Sequence, residues 1–415
     1  MFLLKLFLKK LIRSGTLTII DAGGTAHEFP GPLPGPAITI RLHDRWIPWW
    51  LFFSPTVAGG EAYMDGKLTV ENATLYDFLD LVARNMQDAD YGNAKSISTR
   101  LRRIVRPLQQ FNPIARSKRN VAHHYDLSGA LYDLFLDKDR QYSCAYFASR
   151  NDSLEIAQER KKRHIAAKLL LNPDQSVLDI GSGWGGLALY LARETGARVT
   201  GVTLSEEQLK VSRRRAEESE DGRRVEFHLR DYRQQTGRFE RIVSVGMFEH
   251  VGITQFRRFF GKIRSLLAED GVALLHTIGR TDGPGVTDPW IRKYIFPGGY
   301  IPALSEIVAA IEHEGLVITD VEVLRLHYAE TLRHWRKRFL ANRTKVAALY
   351  DERFCRMWEF YLAGSEVSFR YLNTVVFQIQ MARRLTAAPL TRDYMTDHDR
   401  TQPGLETYED TRRSA

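Results

Sequence analysis

In VLDIGSGWGG, residues 177 to 186, an acid and three glycines occupy alternate positions: Asp179, Gly181, Gly183 and Gly185. Glycine at that density suits backbone that must reach positive φ and present its N–H groups to a ligand with no Cβ in the way. Three apolar residues in the four before the loop read as a buried strand, Val177 to Ile180, with a helix starting at Leu187. Ligands in α/β sheets bind where such strands end. The dinucleotide fingerprint spaces its glycines G-x-G-x-x-G to receive a pyrophosphate, and the alternating spacing here departs from it. A bare turn would use the same residues; the strand before the loop favours a cofactor site.

Three further side chains could do chemistry. Glu249, in VSVGMFEHVG, puts a carboxylate directly after another buried strand, again at a ligand-binding end. His276 ends the run GVALLH, and Cys144 sits in YSCAYF. Taken alone, the last two read as a satisfied core histidine and a small buried apolar residue. The only other cysteine is Cys355, far away and outside metal-ligand spacing, so neither a disulfide framework nor a metal site is expected.

The elements that must position these groups alternate from about residue 155. Short β-branched runs (SVLDIG, ARVTGVTL, VEFHLRDY, FERIVSVG, GVALLHTIG) are separated by helical patterns, which predicts an α/β fold with a mainly parallel sheet. Before them, residues 1–90 read as a small α+β accessory domain, and WIPWWLFF beside its basic segments reads either as a lipid-binding interface where aromatics meet headgroups or as a buried core strand. TLTIID, AITIRL, IPWWLFF and KLTV are β-rich runs broken by Gly/Pro stretches such as PGPLPGP, and TLYDFLDLVARNM is an amphipathic helix. Residues 91–120 form a basic linker in which Arg100, Arg102, Arg103, Arg106, Arg116, Lys118 and Arg119 meet no acid, either a solvated face or a phosphate-facing patch. Residues 121–385 make the larger domain that holds these strands, and 386–415 a polar, unpatterned and flexible tail.

The first residues, MFLLKLFLKKLIRSG, form a basic amphipathic helix, with Lys5, Lys9 and Arg13 on one face and Leu4, Phe7, Leu8 and Leu11 on another. Packing on its own domain and contact with a membrane both fit. Charges interrupt any secretory signal, and no apolar run reaches the roughly 18 to 20 residues of a spanning helix. With 44% hydrophobic residues in a chain of 415, a disordered protein is excluded. The formal net charge of +9 favours an acidic partner, nucleic acid or anionic membrane.

The Asp179–Gly185 pattern resembles motif I of class I S-adenosylmethionine (SAM) methyltransferases, and GVTLSEEQL falls where that class places its ribose contacts. Three stretches taken together resemble the cyclopropane fatty acid synthase family, mycolic acid cyclopropane synthases included: VAHHYDLSGALYDLFLDKDRQYSCAYF (121–147), RIVSVGMFEHVG (241–252) and LLHTIGRTDGPGVTDPWIRKYIFPGGYIP (274–302). The likeness spans roughly residues 115–385, through HYAETLRHWRKRF and RMWEFYLAGSEVSFR.

That resemblance implies a Rossmann-like class I methyltransferase domain that converts cis double bonds in phospholipid acyl chains to cyclopropanes, with SAM as the one-carbon donor. It implies SAM contacts at Tyr142, Ser143, Gly181, Ser182, Gly183, Trp184, Gly185, Gly186, Thr203, Leu204, Ser205, Gln208, Tyr232 and Arg233, with adenine near Asp231 and Tyr232. It further implies a bicarbonate ion as general base, held by Cys144, Glu249, His276, Ile278 and Tyr328. Beside the Glu249 carboxylate such an anion must donate its own O–H, and the Cys144 thiol is then no nucleophile.

Many relatives carry a cysteine where this chain has Ser365; with bicarbonate as base, activity is expected to survive that change. The resemblance also implies a cytoplasmic protein peripherally associated with the inner face of the membrane, an unsaturated phospholipid substrate, an anionic membrane surface as partner, and a homodimer. Two rivals remain. C-methylation of an unsaturated acyl chain without ring closure needs the same cofactor and pocket. A nucleic-acid methyltransferase fits the charge but lacks the [DNS]-P-P-[YFW] motif and a Pro-Cys pair, so no nucleic-acid partner is expected.

Overall fold

Period-two alternation builds the first sheet. β1 (Ser14–Ile20), β2 (Ala26–Pro30), β3 (Leu33–Leu42) and β4 (Leu68–Val70) pair in the order β2-β1-β3-β4. Leu17 and Ile19 of β1 and Ile38, Ile40 and Leu42 of β3 point to one core, and Leu4, Leu8 and Leu11 of the helix Phe2–Leu11 close it. The amphipathic first helix therefore does pack on its own domain.

The computed structural model describes residues 2–88, 129–149 and 151–400, in two units. The described parts of the first are 2–88, 285–297 and 332–374; those of the second are 129–149, 151–284, 298–331 and 375–400. The basic stretch from Arg100 to Arg119 lies outside the described residues. Among those described, no helix is long and apolar enough to cross a membrane.

Three segments differ from their sequence reading. PGPLPGP interrupts the strands only at Gly31 and Pro32, since Pro30 ends β2 and Leu33 to Pro36 begin β3. IPWWLFF is not a strand but the helix Ile47–Phe53. Pro48 in its first turn brings a preset φ and no N–H to lose, and Asp44 Oδ1 accepts the Trp46 N–H at 2.9 Å just before it. A seven-residue apolar run cannot be sorted by periodicity alone. In the stretch expected to be unpatterned, Asp393–Arg400 is a helix. Met395 is buried, Arg392 pairs with Asp320 at 2.7 Å and Tyr394 Oη accepts from Gln380 Nε2 at 2.9 Å.

The first unit is also discontinuous in sequence. The helix Glu352–Tyr371 docks on Leu75–Asp88 and Pro55–Met64, with Tyr371 Oη donating to Asp80 at 2.9 Å and Tyr63 Oη to Glu359 at 3.0 Å. Ser365 lies in this helix, half-buried.

The second unit carries β5 (Ser176–Ile180), β6 (Arg198–Thr203), β7 (Val225–Leu229), β8 (Phe239–Val245), β9 (Leu267–Arg280), β10 (Val317–Leu324) and β11 (Thr374–Ala382) in the order β10-β11-β9-β8-β5-β6-β7. β5 to β9 pair in parallel and β10 runs antiparallel to β11. Near-continuous burial of β5 and β11 reflects a sheet covered on both faces. The order reverses direction at β5, so the loops after β5 and β8 flank the crevice where ligands bind.

Candidate functional site

The loop after β5 has the conformation its glycines suggest: Gly181, Gly183 and Gly185 have φ of 86°, 55° and 84°. A Cβ on Gly181 would lie 2.8 Å from the Met247 side chain, and one on Gly186 would lie 2.5 Å from Asp139. At Gly183 nothing stands within 4 Å, so the backbone there faces open space.

Twelve of the fourteen residues assigned to the cofactor line this one cavity: Tyr142, Ser143, Gly181, Ser182, Gly183, Trp184, Gly186, Thr203, Leu204, Gln208, Tyr232 and Arg233. Gly185 and Ser205 do not. A Cβ on Gly185 would strike Phe227 and Ser212 instead, and Ser205 caps the helix Glu206–Glu217 by accepting the Gln208 N–H at 3.3 Å.

The cavity wall holds polar atoms awaiting partners. Asp179 Oδ2 and Ser182 Oγ are buried and hydrogen-bond to nothing among the described residues. Burial pushes the Asp179 carboxyl up to about 7, against the pull of the Lys161 charge. Across the cavity Asp231 accepts two bonds from the Arg233 guanidinium, 2.8 Å at Nε and 2.6 Å at Nη2, which fixes the stretch beside Tyr232. An orphan carboxylate, an orphan hydroxyl and bare loop backbone together fit a ligand with an ammonium group, hydroxyls and a carboxylate, which SAM has.

Sequence reasoning passed over Gln141 and Asp139 in the cavity wall and, behind it, Lys161. Lys161 is fully buried on the helix Leu154–Leu169. Its Nζ donates to Gln141 Oε1 and, at 2.9 Å, to Ser143 Oγ. Gln158, one turn earlier, donates to the Gln141 and Ser143 carbonyls at 3.1 and 3.0 Å. The signal was a glutamine and a lysine three apart, hence on one helix face, where the face is buried. Burial lowers the Lys161 ammonium to about 8. Lys161→Met keeps the stem but removes the charge and donors that fix residues 141–143, so calorimetry is expected to show SAM affinity falling about tenfold or more.

Of the five residues that the resemblance links to the base, Glu249 and Ile278 are in direct contact, and the others are placed through their neighbours. β8 and β9 run parallel with Val245 opposite His276, and Gly246 N–H donates to the His276 carbonyl at 2.9 Å. Glu249 occupies the short turn after β8, where the Ile278 N–H donates to its Oε1 at 2.6 Å. Its Oε2 is buried with no partner among the described residues, and burial raises the carboxyl to about 7. Burial also drives His276 down to about 3, so the ring is neutral. With Gln378 Nε2 donating to Nδ1 at 3.1 Å, the ring proton sits on Nε2.

Cys144 is buried, and its thiol is pushed well above the usual range. The next residue ties it to the helix His327–Ala341, since the Ala145 N–H donates to Thr331 Oγ1 at 3.0 Å, one turn beyond Tyr328. None of the five lines the cavity itself; Ser143 and His250, their chain neighbours, do.

A sequence model of the family described as mycolic acid cyclopropane synthetase matches residues 113–379. The chain is 38% identical over 351 residues to a protein of Pseudomonas putida named probable fatty acid methyltransferase, covering 81% of this chain and 84% of that one. It is 38% identical over 326 residues to the cyclopropane-fatty-acyl-phospholipid synthase of Escherichia coli K12, covering 78% and 82%. The crystal structure of mycolic acid cyclopropane synthase CmaA1 complexed with SAH and CTAB superposes with a TM-score of 0.62 at 33% identity, over 65% of this chain and 99% of that one.

Proposed function

The chain belongs to the mycolic acid cyclopropane synthetase family, and on that premise we propose that it closes cyclopropane rings on cis double bonds in phospholipid acyl chains, working at the membrane surface. It is a SAM-dependent one-carbon transferase with the class I methyltransferase fold. The observation that carries the ring-closing reading is Glu249: a buried carboxylate with one oxygen fixed by the Ile278 N–H and the other unpartnered among the described residues, after β8 and beside the cavity.

When bound, SAM supplies an electrophilic methyl and bicarbonate a base. With Asp179, Ser182 and the 181–186 loop holding SAM, its methyl carbon would be open to the alkene π electrons as its bond to sulfur broke; the proton lost from that carbon would pass to the bicarbonate, and the electron pair left behind would close the ring. The residues of this chain serve the second half. Glu249 Oε2 accepts a hydrogen bond and so orients the base. Neutral His276 offers an Nε2 donor without adding a positive charge beside the lipid cation. Tyr328 lends a hydroxyl, and the Cys144 thiol stays protonated and does not attack. Since the Ile278 N–H already serves Glu249, we assign Ile278 to positioning that carboxylate.

The name of the Pseudomonas putida relative favours a second reading, C-methylation of an unsaturated acyl chain without ring closure. Isotope counting together with the fate of the double bond separates the two. With the SAM methyl fully deuterated, ring closure leaves two deuteria on the added carbon and no double bond, whereas methylation without ring closure leaves either three deuteria or a double bond.

A further inference from the structure

The protein has seven tryptophans. Trp184, Trp290, Trp335 and Trp358 are buried, whereas Trp46, Trp49 and Trp50 lie exposed within five residues of one another. Trp50 is 63% exposed and Phe53, on the same short helix, 67%. The helix Ile47–Phe53 buries only Ile47 and Pro48 and carries no charged side chain. It packs against the helix Phe2–Leu11, which adds Phe2, 73% exposed, and Leu6. An apolar surface of this kind on a folded protein marks something that binds there.

The charges around it select the partner. Lys9, Lys10, Arg13 and Arg45 are exposed, and the first twenty residues contain no acid. Asp44, the acid next to the aromatic helix, is already engaged with the Trp46 N–H at 2.9 Å and lies 3.5 Å from Lys67. The Arg45 guanidinium lies 5.3 Å from the centre of the Trp46 ring, and Lys9 and Lys10 are carried by the helix that packs against the aromatic one, with Arg13 two residues beyond its end. Indole and phenyl rings flanked by cations match the boundary of a bilayer. The rings settle at headgroup depth while lysine and arginine meet anionic headgroups.

We propose that Trp46, Trp49, Trp50, Phe52, Phe53 and Phe2, rimmed by Lys9, Lys10, Arg13 and Arg45, are the surface by which this protein sits on an anionic phospholipid bilayer. The lipid reading above gives the contact its purpose, but binding can be measured apart from catalysis.

The patch holds every exposed tryptophan of the chain, so tryptophan emission reports on it directly. The test uses vesicles of phosphatidylglycerol and phosphatidylcholine whose acyl chains carry bromine in place of double bonds; bromine quenches nearby indoles, and no alkene is present to react. The full-length protein is expected to bind, shift its emission to shorter wavelength and lose intensity. Binding should weaken in high salt and on vesicles of phosphatidylcholine alone. Trp49→Ser/Trp50→Ser/Phe53→Ser should lower vesicle affinity at least about tenfold with SAM binding unchanged. Lys9→Glu/Lys10→Glu should remove most of the salt dependence.

Cosedimentation of wild-type protein without quenching would overturn the proposal, as would wild-type affinity in the triple variant. A triple variant that keeps vesicle affinity but sediments as a smaller assembly would give the face to a second copy of the chain, which also overturns it. An enzyme inactive on unsaturated lipid would leave these binding results standing, and failure to bind brominated vesicles would leave the ring-closing reading standing.

Discussion

Glu249→Gln is expected to lower turnover by about a thousandfold while SAM affinity changes by less than about a factor of two. The substitution keeps the size of the side chain and an oxygen for the Ile278 N–H, 2.6 Å away in the wild type. It replaces the orphan acceptor, Oε2, with a group that is neutral and can donate. A base that must present its O–H to Glu249 then loses its orientation, and the proton on the transferred carbon has no receiver. SAM affinity should hold because Glu249 is not among the residues lining the cofactor cavity. The pH profile supplies a second readout. Burial holds the carboxyl near 7, and Glu249 orients the base only when ionised, so kcat should rise as pH passes upward through about 7. The variant should lack that limb, and unchanged turnover in it would remove Glu249 from the account.

Asp179→Asn carries the second large effect, and its sign differs between binding and stability. If the orphan carboxylate receives the ammonium group of SAM, removing the charge should weaken binding about tenfold to a hundredfold, the range for a hydrogen bond to a charged group. Without ligand the same substitution should stabilise the protein at pH 8. The Asp179 carboxyl titrates near 7 when folded against a reference of 3.8. Between those values the native state holds a proton that the unfolded chain has released, so stability falls as pH rises from about 4 to about 7. Asparagine does not ionise and escapes that loss. Thermal unfolding of the ligand-free proteins at pH 5 and pH 8 should therefore show the variant gaining on the wild type at the higher pH. No gain there would mean that Asp179 has a partner in solution.

The glycine spacing and the strands around it were legible because each rests on local physics: β-branched runs in period, a loop that needs positive φ, an acid at a strand end. All five predicted runs from Ser176 to Arg280 became strands, and the loop after β5 opens onto the cavity. IPWWLFF fitted a buried strand and an exposed aromatic surface alike, and Pro48 and the Asp44 bond start a helix whose rings are exposed. Other features were decided at a distance. The helix Glu352–Tyr371 pairs with residues nearly three hundred positions away, as Tyr371 does with Asp80, and no scan for contiguous domains can see that. Nothing in QERKKRH sets Lys161 apart from the cations beside it; the packed helix shows that it reaches Gln141 and Ser143. The roles of the base-linked residues came from resemblance, since a buried histidine on a strand or a buried cysteine in a loop carries no chemical signature of its own.

The most direct test of ring closure is mass spectrometry of phospholipids from cells that lack their own synthase, express this protein and grow on methionine with a fully deuterated methyl group. Cyclopropanation predicts acyl chains that gain one carbon bearing two deuteria and lose their double bond, and Glu249→Gln should nearly abolish that species. Three deuteria retained on the added carbon would contradict ring closure, and Glu249 would then need another role.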